Sequence, residues 1–524
     1  MKKRKDLEKE LDIHRFEEPK KKRRVISNKF LWLIVICAAV FFFVTFMRMP
    51  MFPAEWDLKV LAGLILIVIV TGLLSSFAHK NKFIRTVDLI LIVVFTLCSI
   101  VMPKYTDKVS SLFDSLIGNT TTISLYAMNS NYCADHPELY TTSYVAEDLQ
   151  EYENSRFITF AGDDTNQNYA LGKLKEQFGH DVETVERGSV IDAAACLYAN
   201  EGDVLIIPDT MLAMVTDTPE YMYFKDNTIK LGTYTRTVTN HVSLSSLNMT
   251  RKPFVIFFGG NDEDGDLYLE GRTDVDMLVT VNPKTAQIAL VSMPRDSYIP
   301  NPAYGSDAYD KLTHLGLSGI ENTMDGLEQY LGLNNKIDNY IVVNFRTYRN
   351  IIDALGGVDV ENDVEFTAIN EMYFPAGSIH LEGEAALMYV RERYAFVNGD
   401  FERNYHQQLV MKAIISKLTS PEVIVHFNDL LDSLQGTFMT NISSDSIYAL
   451  CRKQLKENTH WNIVSYHIEG ETGMEYCATV PYDMSSVVYP YDNQVEFVSN
   501  IMNAVLSGET VVQEELPQGT YSGE

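Results

Sequence analysis

Cysteine is scarce, six residues in 524, and no two of them form a Cys-x-x-Cys or a Cys/His cluster, which excludes a zinc site of ordinary ligand spacing. Positive charge is also in short supply: 43 Lys/Arg stand against 70 Asp/Glu, a net charge of −27. The deficit is uneven, because residues 1–103 hold 17 Lys/Arg against 9 Asp/Glu and the rest carries a charge of −35. A main body that acidic excludes nucleic acid as its partner, since duplex affinity rests on cations neutralising phosphates; it suits an ion-rich exterior or divalent cations. The basic stretch of the first 29 residues has no helix-turn-helix pattern. A cleaved signal peptide is excluded too, because three apolar runs follow one another with a basic loop before the third.

Those runs, residues 30–47, 58–78 and 87–102, are each long enough to cross a bilayer as a helix, and Asp88 places the start of the third at the interface. Lys20, Lys21, Lys22, Arg23 and Arg24 precede the first; a near-neutral loop joins the first two; Lys80, Lys82 and Arg85 precede the third. This bias predicts a multi-pass protein of the cell membrane with a cytoplasmic N-terminus and everything after residue 104 outside. The predicted organisation is a basic tail over 1–29, three transmembrane helices over 30–103, an extracellular accessory α/β domain over 104–240, a main domain over 251–507 and a disordered tail over 508–524. Four cysteines fall outside the membrane. They allow three pairings, of which Cys133 with Cys196 and Cys451 with Cys477 keeps each bridge within one domain; structural bridges and free thiols both stay open.

The accessory segment alternates strand-like and helix-like stretches: strands over 156–161 and 203–208, helices over 168–178 and 190–199. It holds no catalytic constellation. Its tyrosines (Tyr140, Tyr144, Tyr152, Tyr221, Tyr223) are amphipathic surface residues that would also stack on sugars.

Two clusters in the main domain carry chemistry. The first is Gly-Gly-Asn-Asp at 259–262, Gly-Arg-Thr-Asp at 271–274 and Met-Pro-Arg-Asp at 293–296. Strands over 275–281 and 287–293, joined through an Asn-Pro-Lys-Thr turn, predict a hairpin in which Arg272 faces Arg295 and Asp274 sits beside Met293. Two arginines across a strand pair repel unless an anion lies between them; Asp274 and Asp262 converge beside them. The alternative is simple surface pairing of Arg272 and Arg295 with Asp274 and Asp296. The second cluster is Tyr-Val-Arg-Glu-Arg at 389–393, read as a strand over 386–393 that turns Arg391 and Arg393 to one face. A helix over 402–418 follows, with Arg403 and Gln407 on one face. Five arginines and a Gln in an acidic domain point to a diphosphate, whose oxygens take paired guanidinium donors, with Mg²⁺ on one or two carboxylates.

Gly-Asn-Asp, Gly-Arg-Thr-Asp-Val-Asp-Met, Val-Asn-Pro-Lys-Thr, Met-Pro-Arg-Asp-Ser-Tyr, Asp-Lys-Leu-Thr-His at 310–314, Asp-Ala-Leu-Gly-Gly-Val-Asp at 353–359, Tyr-Val-Arg-Glu-Arg and Arg403-x-x-x-Gln407 occur in one order over residues 251–420. Together they resemble the LytR-CpsA-Psr family, and the three membrane runs with an intervening exterior domain resemble its CpsA-like, capsule-associated branch. The resemblance implies an α/β fold, a mixed central sheet with flanking helices. It implies a membrane-anchored extracellular phosphotransferase that moves a polyprenyl-pyrophosphate-linked glycopolymer, capsular or teichoic-acid-like, onto peptidoglycan through a phosphodiester. It assigns Asp262 and Asp274 to Mg²⁺ (or Mn²⁺), and Arg272, Arg295, Lys311, Arg391, Arg393, Arg403 and Gln407 to the pyrophosphate. The resemblance also implies that Arg295 acts in catalysis and that Asp274 or Asp262 takes the acceptor proton. A lipid tunnel lined by residues 340–345 or 348–355 is a further implication. His406 departs from the family pattern, standing where relatives carry Arg; it is read as a solvated helix residue, the alternative being a pH-sensitive site. A polyprenyl-pyrophosphate pyrophosphatase and a non-catalytic lipid-phosphate or glycan scaffold use the same residues.

Overall fold

The structure is a computed structural model that describes residues 28–48, 54–77, 81–115, 119–140, 144–238, 248–261, 269–333, 336–396, 399–420 and 438–521. The basic cluster at 20–24 and Asp262 lie outside these residues.

Near the N-terminus three helices, α1 (Asn28–Met47), α2 (Ala54–Phe77) and α3 (Lys82–Ser115), contain spans long and apolar enough to cross a membrane. Val35, Ala38, Leu64 and Phe95 pack between them. Polar side chains are spent on interhelical bonds: Trp32 Nε1 donates to the Val68 carbonyl at 2.9 Å and Arg85 Nε to Asn28 Oδ1 at 2.6 Å, the kind of pairing an apolar environment favours. Asp88 is buried and accepts from Ser75 Oγ at 3.4 Å, which joins α2 and α3.

After α3 the chain builds a five-stranded sheet from β1 (Asn119–Met128), β2 (Arg156–Phe160), β3 (Glu183–Arg187), β4 (Val204–Pro208) and β5 (Thr228–Val238), in the order β3-β2-β4-β1-β5. β2 runs parallel to β3 and β4; β1 is antiparallel to β4 and β5. α4 (Asp164–Phe178) buries Ala170 and Leu174 on one face, and α5 (Val190–Tyr198) buries Ala193, Ala194 and Leu197 on the other. β4 is buried along its whole length, as expected of a strand covered on both faces.

The second sheet is built from β6 (Phe254–Asn261), β7 (Val275–Asn282), β8 (Gln287–Met293), β11 (Asn339–Asn344), β12 (Phe438–Thr440) and β13 (Asn462–His467), in the order β12-β11-β6-β7-β8-β13. A small ladder of β9 (Tyr298–Pro300) and β10 (Tyr309–Lys311) precedes β11. β11 is parallel to β6 and β13 to β8; the remaining pairs are antiparallel. Period two sorts each strand. Val255 and Phe257 of β6 face a core closed by α6 (Ile320–Leu331) and a C-terminal helix over Asp492–Ser507, whereas Phe254, Ile256 and Phe258 face the opposite side. Above that opposite side lie α7 (Phe345–Ala354), α8 (Gly383–Arg391) and α9 (Gly399–Leu418), held by their own core of Ile352, Leu355, Tyr389 and Val410. Each large side chain so buried contributes about 1.5–3 kcal/mol. The C-terminal helix becomes α10.

Two expectations are corrected, and of the two cysteine readings left open the free thiols are the one found, at all six positions. Residues 508–521 are not a loose tail: Val511 is buried, its N–H donates to Gln287 Oε1 at 2.7 Å and its carbonyl accepts from Asn462 at 2.7 Å. Residues 386–391, expected as a strand, belong to helix α8. The run Glu384-Ala-Ala-Leu-Met is made of strong helix formers, and Ala386, Leu387, Tyr389 and Val390 bury one helical face.

Candidate active site

A cavity of about 740 Å³ opens between the sheet and helices α7 to α9, within the size range of ordinary ligand sites. Its lining is both charged and apolar. Arg272, Asp274, Arg295, Asp296, Lys311, Arg391, Arg393, Arg403 and Gln407 all line it. Eight of the nine residues expected in the site are thus brought together; Asp262 lies outside the described residues. The apolar part is walled by Phe258, Val275 and Met277 from the sheet, Val343, Phe345 and Tyr348 around the start of α7, and Leu387, Met388 and Met411 from α8 and α9. Tyr348 buries a hydroxyl with no hydrogen-bond partner among the described residues, and burial pushes its pKa up.

Strand geometry sets the charged end, with a register different from the expected one. β7 and β8 pair with Asp276 opposite Met293 and Asn282 opposite Gln287, so four residues form the loop, which Asn282 Oδ1 braces by accepting the Lys284 and Thr285 amides. Ala286 takes a left-handed φ of 54° to close it. The pairing is shifted by two residues, which puts Arg295 against Asp274 instead of Arg272. Arg295 Nη1 donates to Asp274 Oδ1 at 2.5 Å, and its Nε lies 3.7 Å from Asp296. Lys311 Nζ reaches the same Asp296 at 3.3 Å. Arg272 turns elsewhere and bonds Asp217 Oδ2 at 2.9 Å. Gly260 stands opposite Val275, and a Cβ there would lie 3.0 Å from the Val275 Cβ, so a glycine lets β6 run this close to the cavity floor.

The helices bring the remaining cations. Arg391 ends α8 with its guanidinium 4.2 Å from the Phe345 ring centroid, a stacking that holds the planar group. Glu392 breaks the helix. Its buried carboxylate accepts from the amides of Ile369, Tyr394 and Ala395 at 2.7–2.9 Å, and this turn delivers Arg393, which donates to the Tyr394 hydroxyl at 2.7 Å. On α9, Arg403, Gln407 and Met411 recur every four residues and face the cavity together, whereas Gln408 turns to the sheet and bonds Ser292 at 3.0 Å.

The oxygen donors suit a hard cation. Asn261 Oδ1, at the end of β6, is buried without a partner among the described residues and lines the same cavity as Asp274. A carboxylate and an orphaned carbonyl oxygen beside an anion site match what Mg²⁺ accepts. Asp276 is buried and accepts from Thr273 Oγ1 at 2.6 Å, and burial raises its pKa above the ordinary carboxylate value.

Sequence reasoning passed over Asp217, Asn261 and His314. The signal for His314 was its i,i+4 spacing from Asp310. Asp310 is fully buried and accepts from His314 Nδ1 at 2.8 Å and from the Lys311 and Thr479 amides at 2.8 and 2.7 Å. Although burial opposes it, the His314 imidazole and the Thr479 bonds hold Asp310 below the usual carboxylate range. Cys477 lies close enough to make a trio with them, but burial and the Asp310 charge push its thiol up to about 12. The trio is a hydrogen-bonded strut that fixes Lys311 and His314 at the cavity wall.

His406 is neither solvated nor a switch near neutrality. It is buried on α9, stacked on Phe366 with ring centroids 5.2 Å apart and packed against Tyr389 and Phe396. Burial, only partly offset by a backbone bond at Tyr389 and the carboxylates of Asp363 and Glu392, lowers its pKa to about 4. Below pH 6.5 the unfolded chain takes up a proton that the folded chain refuses. The stability from a neutral His406 is therefore fully present above pH 6.5 and is lost toward pH 4, amounting to about 3 kcal/mol. Denaturant titrations from pH 7 to 4 should show His406→Phe losing less stability than the parent; parallel curves would contradict this assignment.

The model of the LytR_cpsA_psr family matches residues 221–490. Among curated relatives, the polyisoprenyl-teichoic acid–peptidoglycan teichoic acid transferase TagU of Bacillus mycoides (strain KBAB4) is 34% identical over 211 residues, which cover 40% of this chain and 67% of that protein. The protein of the same name from Bacillus cereus (strain ATCC 14579) is 36% identical over 198 residues, 38% of this chain and 63% of the relative. The chain thus spans about two thirds of the length of these relatives. The crystal structure of B. subtilis TagV aligns at 26% identity with a TM-score of 0.41, covering 50% of this chain and 99% of that one. Matched by the family model over more than half its length, the chain belongs to the LytR_cpsA_psr family.

Proposed function

We propose that this protein is a membrane-anchored phosphotransferase, its cavity facing the cell exterior, that moves a polyprenyl-pyrophosphate-linked glycopolymer onto peptidoglycan. The supporting observation is that six cationic side chains, Gln407 and a set of apolar side chains line one cavity. That combination suits a lipid pyrophosphate: guanidinium forks hold the phosphate oxygens, and the apolar side chains take the prenyl chain. The relatives' names agree with the reaction; a capsular or teichoic-acid-like polymer is the donor class.

In the reaction an acceptor hydroxyl oxygen bonds to the sugar-bearing phosphorus, and the bond from that phosphorus to the bridging oxygen breaks. The products are a phosphodiester and polyprenyl phosphate. Arg295, Arg272, Arg391, Arg393, Arg403 and Lys311 hold the diphosphate in line and offset the charge that grows on the bridging oxygen. Gln407 donates to a phosphate oxygen. Asp274 or Asp262 takes the acceptor proton. Asp274, Asn261 and, by sequence, Asp262 would hold Mg²⁺ (or Mn²⁺), which supplies a Lewis acid to the phosphate oxygens.

The test is incubation of the full-length protein in detergent with a synthetic polyprenyl-pyrophosphate sugar, peptidoglycan fragments and Mg²⁺, followed by mass analysis. A phosphodiester-linked product together with polyprenyl phosphate is expected. Hydrolysed lipid alone would make the protein a pyrophosphatase, and unreacted bound lipid would make it a scaffold.

A further inference from the structure

The sheet formed by β1 to β5 reaches the cavity through two ion pairs on one short segment, residues 269–274. Glu270 lies two residues before Arg272. Its carboxylate receives Arg236 Nη2 at 2.8 and 2.9 Å, Thr121 Oγ1 at 2.8 Å and Asn166 Nδ2 at 3.5 Å. Thr121 on β1 and Arg236 on β5 are direct cross-strand partners, so the clamp stands on a rigid sheet. The Arg236 and Glu270 side chains are 15% and 18% exposed, which leaves the pair weakly screened by salt. From the other side the segment is tied by backbone bonds, Gly271 N–H to the Gly316 carbonyl at 2.8 Å and Ile320 N–H to the Leu269 carbonyl at 3.0 Å.

The second contact has a different character. Asp217 caps the short helix Leu212–Thr216 that follows β4, and it lines the cavity. It accepts Arg272 Nη1 at 2.9 Å, yet its side chain is 62% exposed against 21% for Arg272. A pair with one solvated partner is weak, and a diphosphate with several oxygens for the guanidinium fork outcompetes a lone carboxylate.

We propose that this accessory sheet sets the affinity of the anion site through two opposed contacts: Arg236, acting through Glu270, positions the segment that carries Arg272, and Asp217 occupies the Arg272 guanidinium until a diphosphate displaces it. Arg236 is a positioning residue and touches no ligand. Asp217 is a competing anion built into the wall. The proposal rests on the pyrophosphate reading of the cavity and gives the accessory segment, which holds no catalytic residues of its own, a part in the same reaction.

Calorimetric titration of the full-length protein in detergent with inorganic pyrophosphate and Mg²⁺ tests both contacts. Asp217→Asn should bind about threefold tighter, the loss of a weak competing pair. Arg236→Met should bind about tenfold weaker, because a displaced segment misplaces Arg272, and Arg236→Lys should recover part of the loss. Asp217 is largely solvated, so its variant folds and keeps the test readable even where Arg236→Met melts early. Parent-like affinity in both Asp217→Asn and Arg236→Met would overturn the proposal and leave the anion site standing. A parent protein that does not bind pyrophosphate would overturn the anion site and this proposal with it.

Discussion

Arg295→Ala should lower kcat/KM for the lipid-linked donor by about two to three orders of magnitude, the loss seen when a preorganised donor to developing charge is removed. Arg295 leaves the end of β8 and is 26% exposed, with Asp274 at 2.5 Å and Asp296 at 3.7 Å. Removing it does two things at once. The bridging oxygen loses its fork of donors, and Asp274 loses the cation beside it while Asp296 keeps Lys311, so the site attracts a diphosphate less. Arg295→Lys keeps the charge but loses the planar fork, and an intermediate loss is expected. The measurement is steady-state turnover of a synthetic donor by full-length variants, with thermal melting to confirm folding. Turnover within about threefold of the parent, well short of the expected loss, would mean that polymer transfer does not pass through this cavity and would favour a binding scaffold.

The cavity was legible because its residues sit where period and motif both point: at the ends of β6 and β8 and one turn apart on α9. What was misread follows from local details that periodicity does not encode. Tyr389, Arg391 and Arg393 alternate like a strand, but the preceding Ala385-Ala386-Leu387-Met388 prefers a helix, and Glu392 then caps the turn that brings Arg393 back to the cavity. The pairing of β7 and β8 shifted by two residues because the four-residue loop sits one position later, at 283–286, where Ala286 accepts a left-handed conformation. His406 looked solvated by its residue type, yet Val410 and Ile414 continue the same helical face and are buried with it; the 3.6 period carried that signal. Asp217 had none, since its partner lies 55 residues away and only tertiary packing brings them together.

Met411→Trp should separate the two ends of the cavity, weakening a long-chain polyprenyl pyrophosphate by about thirtyfold while leaving inorganic pyrophosphate unaffected. Arg403, Gln407 and Met411 lie on one face of α9, and eight residues of helix advance about 12 Å, so that face leads from the guanidinium groups into the apolar wall. A prenyl chain whose diphosphate is held at Arg403 runs along it past Met411, which is 8% exposed. Indole fills the space a few methylenes would take; each buried methylene contributes about 0.8 kcal/mol, so losing two or three removes about 2 kcal/mol, or thirtyfold in affinity. Overpacking itself costs about 1–3 kcal/mol of stability, and Met411→Phe, smaller and still apolar, should give the same selectivity with a milder melt. Competition between inorganic and long-chain pyrophosphate in one binding assay reads the difference directly. Equal weakening of both ligands would mean that the apolar wall supports the anion site without holding the chain, and the lipid would then have to leave the protein at the cavity mouth, beside the exposed Ile369 and Tyr394.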